Sequence, residues 1–135
     1  MSIPPQLQRR LLLADDDREV RLGVADLLDD LGLEILQAES GTEAVQLVRL
    51  KRVDVALLDM HMPGCTGVEA IPLLRRESAN LACIVYSGRW SRGLELDALA
   101  QGAFACLKKP VEPGELRRTV CTALGMPFDP RPRDN

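Results

Sequence analysis

Val53-Asp54-Val55-Ala56-Leu57-Leu58-Asp59-Met60-His61-Met62-Pro63 carries both the fold and the chemistry of this chain. Val53 to Leu58 is a short, nearly unbroken apolar run, the pattern of a strand covered on both faces, and it ends on a carboxylate, Asp59. The loop Met60 to Thr66 follows. Val68, Ala70, Ile71 and Leu74 then recur at helical spacing. Strand, acid, loop, helix is the unit from which the rest of the chain can be read.

The same unit repeats on either side. Toward the N-terminus, Leu11-Leu12-Leu13-Ala14 is a buried strand that stops at Asp15-Asp16-Asp17. Val20, Val24, Leu27, Leu28 and Leu31 then fall on one helical face, and Gly32 is expected to close that helix. Leu33 to Ala38 reads as a second strand, and Ser40-Gly41-Thr42 opens a helix carrying Ala44, Val45, Leu47 and Val48. Toward the C-terminus come a strand over Leu81 to Tyr86, a helix around Leu94 to Ala100, and a short strand over Ala103 to Leu107. The last helix has Pro113 in its first turn, Leu116, Val120 and Leu124 on one face, and Gly125 as its stop. Five βα units with strands apolar on both faces predict an α/β fold: a doubly wound, five-stranded parallel sheet with five helices, joined by right-handed crossovers. Two residues fit this poorly. Pro72 inside the third helix predicts a kink or a late helix start, and Gly93 weakens the beginning of the fourth.

Size and composition agree with one domain. The chain has 135 residues, 46% of them hydrophobic and 27% charged, with a net charge of −3. That length supports one core and not two. No run of about 18 apolar residues is present to span a membrane, and Met1-Ser2-Ile3-Pro4-Pro5 lacks the features of a secretion signal, so the chain is read as cytoplasmic. Cys65, Cys83, Cys106 and Cys121 are widely spaced and joined by one histidine, which argues against a zinc site or a disulfide framework. The basic pairs Lys51-Arg52, Arg75-Arg76 and Arg117-Arg118 form no stripe, which excludes direct nucleic-acid binding as a reading. The domain is expected to span residues 9–125, between an N-terminal tail (1–8) and a mobile C-terminal tail or linker (126–135).

Ligands of an open parallel sheet bind beyond the carboxyl ends of its strands. The residues there are Asp15-Asp16-Asp17, Asp59, Ser87 and Lys108-Lys109-Pro110. Crowded carboxylates repel unless a cation joins them, and a hard, oxygen-only set suits Mg²⁺. A lysine and a hydroxyl nearby would hold phosphate oxygens, and a spared carboxylate would be a nucleophile. Each residue alone has a plainer explanation: Asp17 as the cap of the first helix, Ser87 as a cap, Lys109 as a solvated charge. Together, and in this order, they point to a site.

Asp15-Asp16, then Asp59-Met60-His61-Met62-Pro63 with Gly67, then Ser87-Gly88, then Lys109-Pro110 resemble the bacterial response-regulator receiver domain over about residues 9–125. The resemblance implies a flavodoxin-like strand order 2-1-3-4-5. It implies Asp59 as phosphoacceptor, Asp16 as a direct ligand of Mg²⁺ (or Mn²⁺), and Asp15 as a ligand mostly through water. His61 would offer its backbone carbonyl to the metal and leave its side chain free. Ser87 would be the switch hydroxyl and Lys109 the phosphate-holding lysine, aimed inward by a cis bond to Pro110. A sensor histidine kinase or phosphotransfer protein would supply the phosphoryl group. An unidentified output partner would read the face made by the fourth helix, fifth strand and fifth helix. The chain would be a signalling domain and not a conventional enzyme, catalysing its own phosphorylation and a slow autodephosphorylation.

The family usually has an aromatic residue three positions before the lysine, and Cys106 stands there instead, with Phe104 two residues earlier. His61 and Arg89 lie at positions that vary in the family and tune phosphate lifetime. A phosphatase of the haloacid-dehalogenase type would need a second acid at position 61, and His61 occupies it. A docking module independent of phosphorylation would be expected to have lost the acidic pair or the lysine, and this chain keeps them. Trp90, three residues past Ser87, is expected to report or transmit the state of Asp59.

Overall fold

The computed structural model describes residues 8–128. The N-terminal residues 1–7 and the C-terminal residues 129–135, and with them most of both expected tails, lie outside the described residues. Five strands form one parallel sheet: β1 (Arg10–Ala14), β2 (Glu34–Ala38), β3 (Val55–Asp59), β4 (Ala82–Ser87) and β5 (Ala105–Lys108). Their order is β2-β1-β3-β4-β5, as expected, so the direction of winding reverses between β1 and β3. Four α-helices connect them, α1 (Arg18–Leu27), α2 (Gly41–Leu50), α3 (Gly67–Glu77) and α4 (Arg92–Ala100), and α5 (Pro113–Leu124) follows the last strand.

The period-2 alternation of the strands divides the core. Leu12, Ala14, Ala56, Leu58, Cys83 and Val85 face one layer, where Ala44, Val48, Ile71, Leu74 and Ala98 meet them. Leu11, Leu13, Val55, Leu57, Ile84 and Tyr86 face the other, against Val24, Leu28, Leu116 and Val120. Both faces are dry, which is why the strands read as runs and not as alternations. The cysteines are free, as expected, and Cys83 is buried deeply enough that its thiol is pushed up to about 12, the behaviour of a packing residue.

Several local expectations are corrected. Gly32 does not end α1. That helix stops at Leu27, a short 3-10 turn (Asp29–Leu31) follows, and Gly32, at φ 72°, closes the turn. Leu28 and Leu31 kept the apolar spacing without keeping the α-helical bonds. Pro72 causes no late start: α3 begins at Gly67, where Thr66 and Glu69 form a capping box that fixes the first turn. Val68, Ala70, Ile71 and Leu74 are buried and hold the helix through the one backbone donor that proline lacks. Phe104 is not on β5; it precedes the strand and is 46% exposed. Trp90 likewise precedes α4, whose cap is Ser91, and that cap starts the helix at Arg92 despite Gly93. None of the helices among the described residues is long and apolar enough to cross a membrane.

Candidate functional site

Strand register assembles the site. Ala14 pairs with Leu58, Asp59 with Tyr86, and Ser87 with Lys108, so the residues just beyond β1, β3, β4 and β5 converge on one edge of the sheet. Asp15 follows Leu11 and Leu13 in parity, and Asp59 follows Val55 and Leu57, so both acids lean to the α1/α5 side. Asp17, two residues past Asp15, is the α1 cap, accepting the amides of Glu19 and Val20. This is the plain role expected of it. Asp16 between them is exposed, and carboxylate oxygens of Asp15, Asp16 and Asp59 lie within 4.8 Å of one another.

Lys109 holds the two buried acids together. Its ammonium donates to Asp59 Oδ1 at 3.0 Å and to Asp15 Oδ2 at 3.3 Å, and its backbone N–H donates to the Ser87 carbonyl at 2.9 Å. The Lys109–Pro110 bond is cis, as the resemblance implied. Asp59 is 4% exposed, and burial raises its pKa against the opposing pull of the Lys109 hydrogen bond, with the Asp15 charge adding to the rise. Its Oδ1 also accepts the His61 backbone N–H at 3.3 Å, while among the described residues no hydrogen bond engages Oδ2. Gly67 is needed here: a Cβ on it would lie 2.7 Å from the Asp59 carbonyl oxygen.

Ser87 is wholly buried, and its hydroxyl accepts the Arg89 N–H at 3.0 Å. The His61 side chain, expected to be free, comes within 3.5 Å of that hydroxyl through Nε2. The loop after β3 and the loop after β4 are neighbours, and that contact follows from the sheet order alone.

Two residues of the site were not anticipated. Arg21, 5% exposed, donates to the Asp15 carbonyl at 2.6 Å and to Gln37 Oε1 at 3.1 Å, bracing the β1–α1 turn against β2. Its place four residues after Asp17, on the inner face of α1, was the available signal. Tyr86 was read as one more core residue of β4. Its hydroxyl donates to Asp15 Oδ2 at 2.5 Å, and burial, with Asp15 second, pushes its phenol pKa up, so it keeps its proton. The Lys109 ammonium sits 4.7 Å from the centre of its ring.

A doubly wound parallel domain with an acid cluster, a lysine and a hydroxyl at its switch point belongs to the class of phosphoryl-accepting signalling domains. The family model for the response regulator receiver domain matches residues 11–121, and the chain belongs to that family. It is 38% identical over 103 residues to a response regulator receiver protein of Anaeromyxobacter sp. (strain Fw109-5), covering 76% of this chain and 43% of that one. Response regulator UvrY of Escherichia coli (strain K12) is 34% identical over 108 residues, covering 78% and 50% respectively. The chain therefore spans about half the length, or less, of these curated relatives. Among solved structures, the chemotaxis protein CheY4 of Vibrio cholerae aligns with a TM-score of 0.80 at 29% identity, over 87% of this chain and 99% of that one. The protein is a receiver domain of the two-component type, a phosphorylation-activated switch, and its acidic cluster could hold a metal ion.

Proposed function

We propose that Asp59 is the phosphoacceptor and that Mg²⁺ (or Mn²⁺), held by Asp16 and Asp59 with Asp15 and the His61 carbonyl, assists the transfer. The observation that carries the reading is Asp59 itself: a buried carboxylate at the end of β3, one oxygen held by Lys109 at 3.0 Å and the other left for attack. The donor set is all hard oxygen, which fits the cation. When bound, the cation would neutralise charge on the transferring phosphoryl group. Asp59 Oδ2 attacks phosphorus in line, the bond to the donor's nitrogen or acyl oxygen breaks, and the leaving group departs with the bonding pair.

Once the acyl phosphate has formed, Lys109 holds a phosphate oxygen. Ser87 exchanges the Arg89 amide for the phosphate. That exchange reaches α4 through the loop carrying Trp90 and Ser91. Of α4 only Ala98 is fully buried, so little packing opposes a shift. Leu96 and Leu99 on α4, and Phe104 before β5, are exposed by 52%, 44% and 46%, which supports the α4–β5–α5 face as the output surface. The donor would be a sensor histidine kinase or a phosphotransfer protein, and the domain would work inside the cell.

Incubation with acetyl phosphate and Mg²⁺ should add one phosphoryl group, labile to base, as mass spectrometry of the intact chain would show. Asp59→Asn should abolish it with the fold retained. Undiminished labelling of the variant would overturn the assignment, and steady release of phosphate from a generic ester would point to a hydrolase instead.

A further inference from the structure

Tyr86 occupies a position from which it acts on two members of the site at once. β1 and β4 are not neighbours; β3 lies between them, so their axes are separated by two strand spacings, roughly 10 Å. A side chain on β4 must be long to reach an acid at the end of β1, and it needs a polar tip to bind it. Tyr86 has both. It sits in register with Asp59, passes beneath the Lys109 ammonium, and delivers its hydroxyl to Asp15 Oδ2.

The consequence is that Asp15 is saturated. It is 0% exposed, its Oδ1 accepts the Asp17 N–H at 2.8 Å, and its Oδ2 accepts both Tyr86 and Lys109. Asp16, by contrast, is exposed and makes no hydrogen bond to the described residues through its side chain. We propose that Tyr86 is a positioning residue of the site: its hydroxyl commits Asp15 to Lys109 and the protein interior, leaving direct metal contact to Asp16 and Asp59. The plainer account is a core tyrosine that satisfies its hydroxyl on the nearest carboxylate and has no bearing on the site. The two accounts differ in what happens when the hydroxyl alone is removed.

Tyr86→Phe keeps the ring, its packing and its face toward Lys109, and deletes one donor from a buried carboxylate. Asp15 then has an acceptor site unpaired in a dry setting, and a bound cation with its water shell can satisfy it. The inference rests on the reading that a cation occupies the acidic cluster, and it is tested on the unphosphorylated protein. Mg²⁺ is titrated calorimetrically into the wild type, Tyr86→Phe, Asp15→Asn and the double variant. Loss of one hydrogen bond to a charged group predicts Mg²⁺ binding about tenfold tighter in Tyr86→Phe. In the Asp15→Asn background the same substitution should change affinity by less than about twofold, because the residue through which Tyr86 acts is gone.

Unchanged affinity in Tyr86→Phe, or an equal gain with and without Asp15, would overturn the proposal. A readout that needs no substitution is also available, because the chain has one tyrosine. With tyrosine labelled at ¹³Cζ, saturating Mg²⁺ should shift its single resonance, and a resonance that does not move overturns the proposal even if Tyr86→Phe fails to fold. Absence of Mg²⁺ binding to the wild type would remove the functional reading and this inference together. Normal binding with an indifferent Tyr86 removes this inference alone.

Discussion

Gly67→Ala tests how the acceptor strand is held. The Cβ it adds would lie 2.7 Å from the Asp59 carbonyl oxygen, 3.1 Å from Met60 Cα and 3.2 Å from the Asp59 carbonyl carbon. All three are backbone atoms, so none can swing aside, and ordinary contact between carbons begins at about 3.5 Å. Either α3 moves outward or the end of β3 moves back. Overpacking of this kind costs about 1–3 kcal/mol, and the better helix propensity of alanine offsets it by at most about 1 kcal/mol. The net loss should be about 1–2 kcal/mol, a fall in Tm of about 4–8 °C for a domain of this size. Gly23→Ala is the control: it lies within α1 and its added Cβ meets nothing within 4 Å beyond its chain neighbours and its own helix backbone, so it should stabilise by about 0.5–1 kcal/mol. Urea denaturation of both variants gives the stabilities. The phosphorylation rate of Gly67→Ala with acetyl phosphate should fall by at least about tenfold, because Asp59 is displaced from Lys109. A Gly67→Ala protein as stable and as quickly labelled as the wild type would refute the reasoning.

Trp90 donates through Nε1 to Glu95 at 3.1 Å, and its ring carries the Lys108 ammonium at 4.3 Å, so it ties the loop after β4 to both α4 and β5. Its fluorescence should change when Mg²⁺ with beryllofluoride mimics the acyl phosphate, and Asp59→Asn should abolish the change; an unaltered spectrum at saturation would leave Trp90 a packing residue. Burial raises the Asp59 pKa above its ordinary value, so within that window the folded state keeps a proton the unfolded chain has lost, and stability falls as pH rises through it. Metal-free Asp59→Asn should therefore melt above the wild type at neutral pH. The gap should close as pH falls to the ordinary carboxylate range, and a gap independent of pH would show that the Asp59 charge carries no such cost.

The sequence by itself was enough for the sheet, the helices and the residues at the strand ends. A strand buried on both faces is apolar along its length, so Asp59 after Leu58, or Asp15 after Ala14, marks the end of the apolar run, and both acids are themselves buried there. Strand limits were less legible: Val53 is buried but lies outside the β3 ladder, because apolar character records burial and not hydrogen bonding. The end of α1 was missed for the same reason, since a 3-10 turn can continue an apolar stripe.

The tertiary structure alone decided who faces whom. Period-2 parity puts Asp15, Asp59 and Tyr86 on one side of the sheet, but their meeting depends on the order 2-1-3-4-5, which places β3 between β1 and β4. From the chain, Tyr86 was one apolar letter among six, and its hydroxyl had no visible partner 71 residues away. The approach of His61 to Ser87 was equally hidden, whereas that of Arg21 to the Asp15 carbonyl was signalled by its place four residues after Asp17. Local pattern reports which face a residue takes, whereas the partner it meets there is set by strand adjacency and by the reach of the side chain.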